Sequence, residues 1–294
     1  MEKELIIEAR NLKQYFRISD RYTIRAVDGV SFQIHSGEVL GLVGETGCGK
    51  STIARTLAGI YQPTEGEVLF GNMPVSGKNA SKEQRKKMQR EMQLVFQDSS
   101  AALNPRMTVE KIVLEPLRIQ KTTRDRAASR QRLLELLSQV GLDDTYLEKY
   151  PNELSGGQRQ RVAIARSLML HPKLIIADEP ISSMDISIQA QIVTLFQRLQ
   201  REQGFSMLFI AHDLSVIRFI SDTVGVMLHG RIVELAPSKE LFDHPLHPYT
   251  RSLLSAIHVP DPIYERSKKV IDYDRDSPLG TVLAERSPGH FVLE

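Results

Sequence analysis

The stretch Gly44-Glu45-Thr46-Gly47-Cys48-Gly49-Lys50-Ser51-Thr52 satisfies the pattern G-x-x-x-x-G-K-[ST] through Gly44, Gly49, Lys50 and Ser51. Glycines let the backbone curl so that successive N–H groups point at phosphate oxygens. A lysine there neutralises β/γ-phosphate charge, and a serine hydroxyl ligates Mg²⁺. The flanks agree: Glu38-Val-Leu-Gly-Leu-Val43 reads as an apolar strand and Ser51-Thr-Ile-Ala-Arg-Thr-Leu57 as a helix. Phosphates would then lie on a helix N-terminus. The competing reading, a fortuitous glycine turn, does not require that strand–loop–helix context. The nine residues are taken as a nucleoside triphosphate site.

The chain has 294 residues, with 41% hydrophobic and 25% charged side chains, enough for one large or two modest domains with ordinary globular composition. A formal net charge of +2 gives no electrostatic footprint for nucleic acid. The local run Lys82, Arg85, Lys86, Lys87 and Arg90 reads as a solvated helix face. No apolar stretch reaches the ~18 residues of a membrane span, and Met1-Glu-Lys-Glu-Leu lacks a signal-peptide core, so a cytoplasmic chain is expected. The single cysteine, Cys48, can form no internal disulfide.

Short alternating segments, Leu5–Ala9, Ala26–Ile34 and Gly66–Phe70, predict an antiparallel β sheet beside the nucleotide core. Met92–Phe96 is a further apolar run. A helical subdomain follows at about 98–170, clearest where Leu133, Leu136, Leu137 and Val140 share one helix face. The order strand (Leu174–Ala177), helix (Ile188, Ile192, Leu195, Phe196, Leu199), strand (Met207–Ala211) implies parallel pairing and an α/β core. A cassette over 1–235 and an irregular extension over 236–294, rich in Pro, His and Asp, are expected.

A phosphate loop alone leaves kinase, GTPase, helicase and transporter open. Leu174-Ile-Ile-Ala-Asp178-Glu179 reads as a Walker B strand, in which Asp178 would hold the Mg²⁺ shell and Glu179 would polarise the attacking water. A buried strand ending in a solvated acid pair is the alternative. Leu154-Ser155-Gly156-Gly157-Gln158 opens a helix expected over Arg159–His171. Its Ser155–Gln158 spacing is also an ordinary capping box, but a cap does not require two glycines.

Leu-Ser-Gly-Gly-Gln ahead of a Walker B strand resembles the signature of ATP-binding cassette (ABC) ATPases, and this resemblance covers the cassette. It implies a P-loop NTPase (RecA-like) fold with an antiparallel β subdomain, an inserted α-helical subdomain and a C-terminal extension. It also implies a head-to-tail dimer in which Ser155, Gly156, Gly157 and Gln158 close the partner's ATP site. Carried over by the resemblance, Gln97 matches the glutamine that touches Mg²⁺ and senses the transmembrane partner, giving Ser51, Gln97 and Asp178 as the metal set. Ser182-Ser-Met-Asp185 holds the D-loop position, with Asp185 crossing the dimer interface. His212 matches the switch histidine at the γ-phosphate. Tyr15 resembles the adenine-stacking aromatic, with Phe16 and Tyr22 as rivals and core packing as the alternative. Thr46 and the pair Ser183-Met184 depart from the commoner family residues without removing a catalytic group.

Phe96–Thr108 and Pro245-Leu-His-Pro-Tyr-Thr-Arg-Ser-Leu-Leu254 are similar to peptide and nickel importer ATPases. The closing stretch, from Pro260-Asp-Pro-Ile-Tyr-Glu-Arg266 through Ser287-Pro-Gly-His-Phe-Val292, resembles the F-type ATP-binding subunits of oligopeptide permeases of Gram-positive bacteria. That resemblance implies an ATPase energising oligopeptide import, or import of dipeptides, nickel or another small solute. Its partners would be a D-type ATPase subunit as heterodimer, two transmembrane permease subunits and, through them, an extracellular substrate-binding protein, at the cytoplasmic face of a bacterial membrane. A soluble ABC ATPase acting on ribosomes or DNA is the rival, and the second cassette or long coiled coil usual there is absent. Many relatives carry a C-terminal cysteine cluster for an iron–sulfur centre. Here no Cys follows position 48, so no cluster is expected. Prolines beside His244 and His247 favour a packed turn over a metal site.

Overall fold

The computed structural model describes residues 3–75, 81–122, 125–182, 184–257, 268–274 and 277–294. Ser183 and residues 260–266, both used in the sequence reading, lie outside the described residues.

The chain begins with the long strands β1 (Leu5–Arg17) and β2 (Thr23–His35), then β3 (Val39–Gly44) and helix α1 (Lys50–Leu57). Strands β4 (Glu65–Phe70) and β5 (Met73–Pro74) follow, then α2 (Lys82–Glu91) and β6 (Met92–Val95). The helical part holds α3 (Ser99–Ala102), α4 (Val109–Gln120), α5 (Arg126–Gln139) and α6 (Gly156–Leu168). Then come β7 (Leu174–Asp178), α7 (Ile186–Gln203), β8 (Ser206–Ile210), α8 (Leu214–Ile220), β9 (Thr223–Leu228) and β10 (Arg231–Pro237). Helices α9 (Ser238–Asp243) and α10 (Pro248–Ser255) and the hairpin β11 (Leu283–Ser287) with β12 (His290–Leu293) complete the described elements.

The expected antiparallel sheet has the order β2-β1-β4-β5. The second sheet runs β11-β12-β10-β9-β3-β8-β7-β6, with β6, β7, β8, β3 and β9 mutually parallel. Every residue of β3, β7 and β8 is buried, as a parallel sheet covered on both faces requires. The two-residue alternation of these strands divides the core. Leu40, Leu42, Leu174, Ile176, Leu208 and Ile210 pack with β1, β2 and α1. Val39, Val43, Ile175, Ala177, Met207 and Phe209 face the opposite layer, which is continuous with Ile112 of α4, Leu133, Leu136 and Leu137 of α5 and Val162 of α6. On α2 only Met88 is buried, and the basic residues are exposed.

Two elements differ from the sequence expectation. Helix α6 starts at Gly156 rather than Arg159, because Ser155 accepts from Gln158 N and Gln158 accepts from Ser155 N, a reciprocal cap that admits both glycines into the first turn. The described residues after 236 are not wholly irregular, since they hold α9, α10 and the β11–β12 hairpin. Strand β12 pairs antiparallel with β10 through Glu234↔Val292 and Leu235↔Phe291 and so extends the nucleotide-core sheet. At this junction the fully buried Glu234 carboxylate accepts from Leu246 N (2.8 Å), His247 N (2.9 Å) and His290 Nε2 (2.8 Å). His247 then caps α10, its Nδ1 accepting from Tyr249 N.

Candidate nucleotide site

The loop between β3 and α1 is wedged against β2. A side chain on Gly49 (φ +111°) would overlap the Ala26 carbonyl oxygen, whereas Gly47 (φ +85°) has open space around it and is glycine for its backbone conformation alone. The Lys50 side chain, 3% exposed, curls back over the loop: Nζ donates to the carbonyls of Gly44 (2.7 Å) and Glu45 (2.9 Å) and stands 3.8 Å from Glu179 Oε1. Ser51 Oγ donates to Asp178 Oδ1 at 2.8 Å. Burial pushes the Asp178 carboxyl up, against the opposing pull of the Ser51 hydrogen bond. Gln97 Nε2 donates to Glu179 Oε2 (3.2 Å) from the end of β6. Glu179 itself has left-handed backbone (φ 46°), fixed by its N–H donating to Ile210 O (3.1 Å), which turns the carboxylate toward Lys50 and Gln97.

These groups border a cavity of about 500 Å³ lined by Thr46, Gly47, Gly49, Lys50, Ser51, Thr52, Gln97 and Glu179, with Ile24, Arg25, Ala26, His229 and Gly230 as a facing wall. That wall carried no sequence signal beyond the His229-Gly230 turn (φ 46° and 80°), since no motif ties it to the loop. The fit to a triphosphate with its metal is direct. The glycine cradle is closed on one side by β2, a buried ammonium lies over it, and Ser51 and Asp178 present the all-oxygen donors a hard cation such as Mg²⁺ prefers.

Other candidate residues stand elsewhere. Ser155, Gly156, Gly157, Gln158, Asp185, His212 and Tyr15 are not among the cavity-lining residues. Gln158 Nε2 donates to Tyr146 OH (3.0 Å), and exposed Asp185 precedes α7 as its N-cap residue. His212 is exposed just past β8, one residue after Ala211, whose N–H donates to Leu42 O (3.2 Å). The Tyr15 hydroxyl donates to Asp28 Oδ1 (2.5 Å), and the Arg25 guanidinium lies 5.7 Å from its ring centroid. Phe16 packs edge-on to Tyr61 at 5.3 Å, and Tyr22 is exposed. Cys48 is buried, with Sγ 3.8 Å from Lys50 Nζ, and among the described residues no group of three or more His, Cys, Asp or Glu is disposed to hold a metal. No helix among the described residues is long and apolar enough to cross a membrane.

A phosphate loop facing a strand that ends in paired acids, with a separate capped Ser-Gly-Gly helix start, defines an ATP-binding cassette. The family model described as ABC transporter matches residues 27–182, and that described as oligopeptide/dipeptide transporter, C-terminal region matches residues 233–286. The chain belongs to the ABC transporter family. It is 51% identical over 99% of its length to the oligopeptide transport ATP-binding protein OppF of Bacillus subtilis, covering 96% of that protein. It is 45% identical over 99% of its length to the dipeptide transport ATP-binding protein DppF of Lactococcus lactis, covering 95% of it. Among solved structures it is similar to a dimeric ATP-binding cassette in a post-hydrolysis state bound to ADP and Pi, with TM-score 0.71 and 29% identity over 79% of this chain and 99% of that one.

Proposed function

We propose that this chain is the ATP-hydrolysing subunit of a peptide importer, most directly of oligopeptides. The observation that carries it is the convergence of Lys50, Ser51, Glu179 and Gln97 on one cavity, with Asp178 hydrogen-bonded behind Ser51, in a chain whose residues 233–286 match the oligopeptide/dipeptide transporter C-terminal region. The loop N–H groups and Lys50 bind the phosphates. Ser51, Asp178 and Gln97 would hold Mg²⁺, which would supply neutralisation of phosphate charge when bound. Glu179 accepts a proton from the attacking water, and His212 approaches the γ-phosphate, so that ATP and water give ADP and phosphate.

Ser155, Gly156, Gly157, Gln158 and Asp185 act on the ATP of a second cassette, a D-type subunit. Their absence from the lining of this chain's own cavity and the exposure of Asp185 and the neighbouring Ile186 support that reading. The membrane subunits dock along the segment of about 98–125 that follows Gln97, where Pro116 and the exposed Ile119 border a groove of about 460 Å³. The chain thereby works at the cytoplasmic face of the membrane, with a substrate-binding protein reaching it only through the permease. The cassette is residues 1–235 and the region 236–294 is built from protein alone, without an iron–sulfur cluster. The test is co-purification with the permease subunits and ATPase activity of the reconstituted complex. Stimulation by tetra- or pentapeptides is expected. Stimulation by dipeptides or Ni²⁺ alone would reassign the substrate, and failure to bind any membrane subunit would overturn the reading.

A further inference from the structure

Asp28, on β2, is held from three directions. The Tyr15 hydroxyl donates to Oδ1 (2.5 Å), Arg231 Nε and Nη2 both donate to Oδ2 (3.1 and 2.7 Å), and the Asp28 N–H donates to Gly230 O (2.8 Å). The remaining Arg231 nitrogen, Nη1, donates to the carbonyl of Gly280 (3.0 Å), in the segment that leads into β11. Gly230 lines the nucleotide cavity, and its own N–H donates to Cys48 O inside the phosphate loop (3.0 Å). One unbroken set of hydrogen bonds therefore joins the C-terminal segment to the phosphate loop through Gly280, Arg231, Asp28, Gly230 and Cys48. Burial alone would raise the Asp28 carboxyl. The hydrogen bonds from Tyr15 and Arg231 outweigh it and hold the group below its usual range.

A planar guanidinium that places two donors on one carboxylate oxygen and a third on a carbonyl has a single productive orientation. Displacing the Gly280 carbonyl removes one of the three contacts that orient Arg231 on Asp28, which follows the cavity-wall residues Ile24, Arg25 and Ala26 on β2. We propose that Asp28 and Arg231 are positioning residues for ATP, and that through them the docked C-terminal segment sets how tightly the nucleotide's base and ribose end is held. This rests on reading the cavity as the ATP site. Hydrolysis chemistry, which belongs to Glu179 and its neighbours, is untouched.

The experiment is calorimetric titration of the full chain with ATP and, separately, with inorganic tripolyphosphate, which lacks base and ribose, together with KM and kcat of the reconstituted transporter. In Arg231→Met, ATP affinity falls about tenfold and KM rises in parallel, with kcat within about twofold, as expected when binding common to ground and transition states is lost. Tripolyphosphate affinity falls less than about threefold, because the wall and not the cradle has moved. Arg231→Lys keeps charge without the fork and shows the same pattern more weakly, providing a readout if the Met variant does not fold. In Gly280→Ala the new methyl would overlap the Glu294 backbone and displace the Gly280 carbonyl without touching Arg231. This change should lower ATP affinity, and adding it to Arg231→Met should produce no further loss. Unchanged ATP affinity in the Arg231 variants, equal loss for both ligands, or full additivity in the double variant would overturn the proposal. Retained ATP binding in Lys50→Ala would instead defeat the underlying assignment of the site.

Discussion

Ser51 Oγ and Asp178 Oδ1 meet at 2.8 Å, tying the first turn of α1 to the end of β7 across 127 residues of sequence. The hydroxyl and carboxylate therefore act as one oxygen pair. Ser51→Ala should weaken nucleotide binding only when Mg²⁺ is present. Outer-shell partners of a metal ligand alone are worth roughly 10–100-fold in affinity, so the loss should reach at least that range. Binding measured with Mg²⁺ and with EDTA separates the two conditions, and an equal loss in both would show that the serine serves the loop rather than the metal.

Glu179 reaches both Lys50 and Gln97 only because its backbone adopts a left-handed conformation. Glu179→Gln preserves side-chain shape while removing the base, so turnover in the assembled transporter should fall about 10²–10⁴-fold with ATP affinity retained. Phosphate release at the parental rate would remove Glu179 from the mechanism.

A Cβ added at Gly157 would meet Ile188 Cγ2 at 3.0 Å, and since this β-branched side chain is stiff at χ1, the start of α7 must give by a few tenths of an ångström. Gly157→Ala should therefore fold with a small loss of stability and serves as the steric control. Gly157→Asp adds a carboxylate, and at ~4 Å from a phosphate charge its repulsion is about 4 kcal/mol at an effective dielectric of 20. This variant should bind ATP as a monomer and fail to form the ATP-induced dimer in light scattering. Dimerisation equal to that of the Ala variant would mean that Gly157 does not face the partner's nucleotide.

Within Phe96–Thr108, the stretch similar to peptide and nickel importer ATPases, residues differ in whether a docking partner could reach them. Leu103 is 1% exposed and belongs to the core, while Arg106 is exposed and Met107 partly so. Cysteines at Arg106 and Met107 should crosslink to a cytoplasmic loop of a permease subunit, with none from Leu103 in the folded protein. Crosslinks to soluble proteins alone would favour a non-transport ATPase.

Burial lowers the pKa of His247, outweighing the opposing attraction of Glu234, so the folded state holds this histidine neutral, with Nδ1 accepting from Tyr249 N. The unfolded chain, near the ordinary value of about 6.5, binds the proton more readily. Its contribution is thus intact above that value and declines as pH falls below it. His247→Gln should flatten the loss of Tm between about pH 7 and 5 relative to the parent. An unaltered slope would place the acid sensitivity elsewhere, with His171, also lowered by burial, as the next group to replace.

The legible parts of this molecule were those whose chemistry is local. The phosphate loop, Ser155–Gln158 cap and Leu174–Glu179 strand each fix their geometry within a few residues, and the buried strands β3, β7 and β8 read as uninterrupted apolar runs. The cavity wall at Ile24, Arg25 and Ala26 was not legible, because it is brought to the loop only by the pairing of β1 with β2 and by the turn at Gly230. Arg231 and Asp28 are 203 residues apart and belong to no motif. Strand β11, Leu-Ala-Glu-Arg-Ser, has neither β-branched residues nor clean alternation, so its place at the sheet edge depends on β12 and not on its own sequence.

Glu234 is synthesised 56 residues before His290, its buried imidazole partner. At ribosomal rates of about 5–20 residues per second, the gap lasts roughly 3–11 s. During that interval the carboxyl oxygens have only the N–H groups of Leu246 and His247 to replace water, and burying a polar group short of a hydrogen-bond partner is unfavourable. The β10 edge of the nascent sheet must therefore stay hydrated until β12 arrives. Folding of the nucleotide core is completed by one of its latest-made strands, and premature termination before residue 290 would leave β10 as an unpaired sheet edge with the buried Glu234 lacking His290.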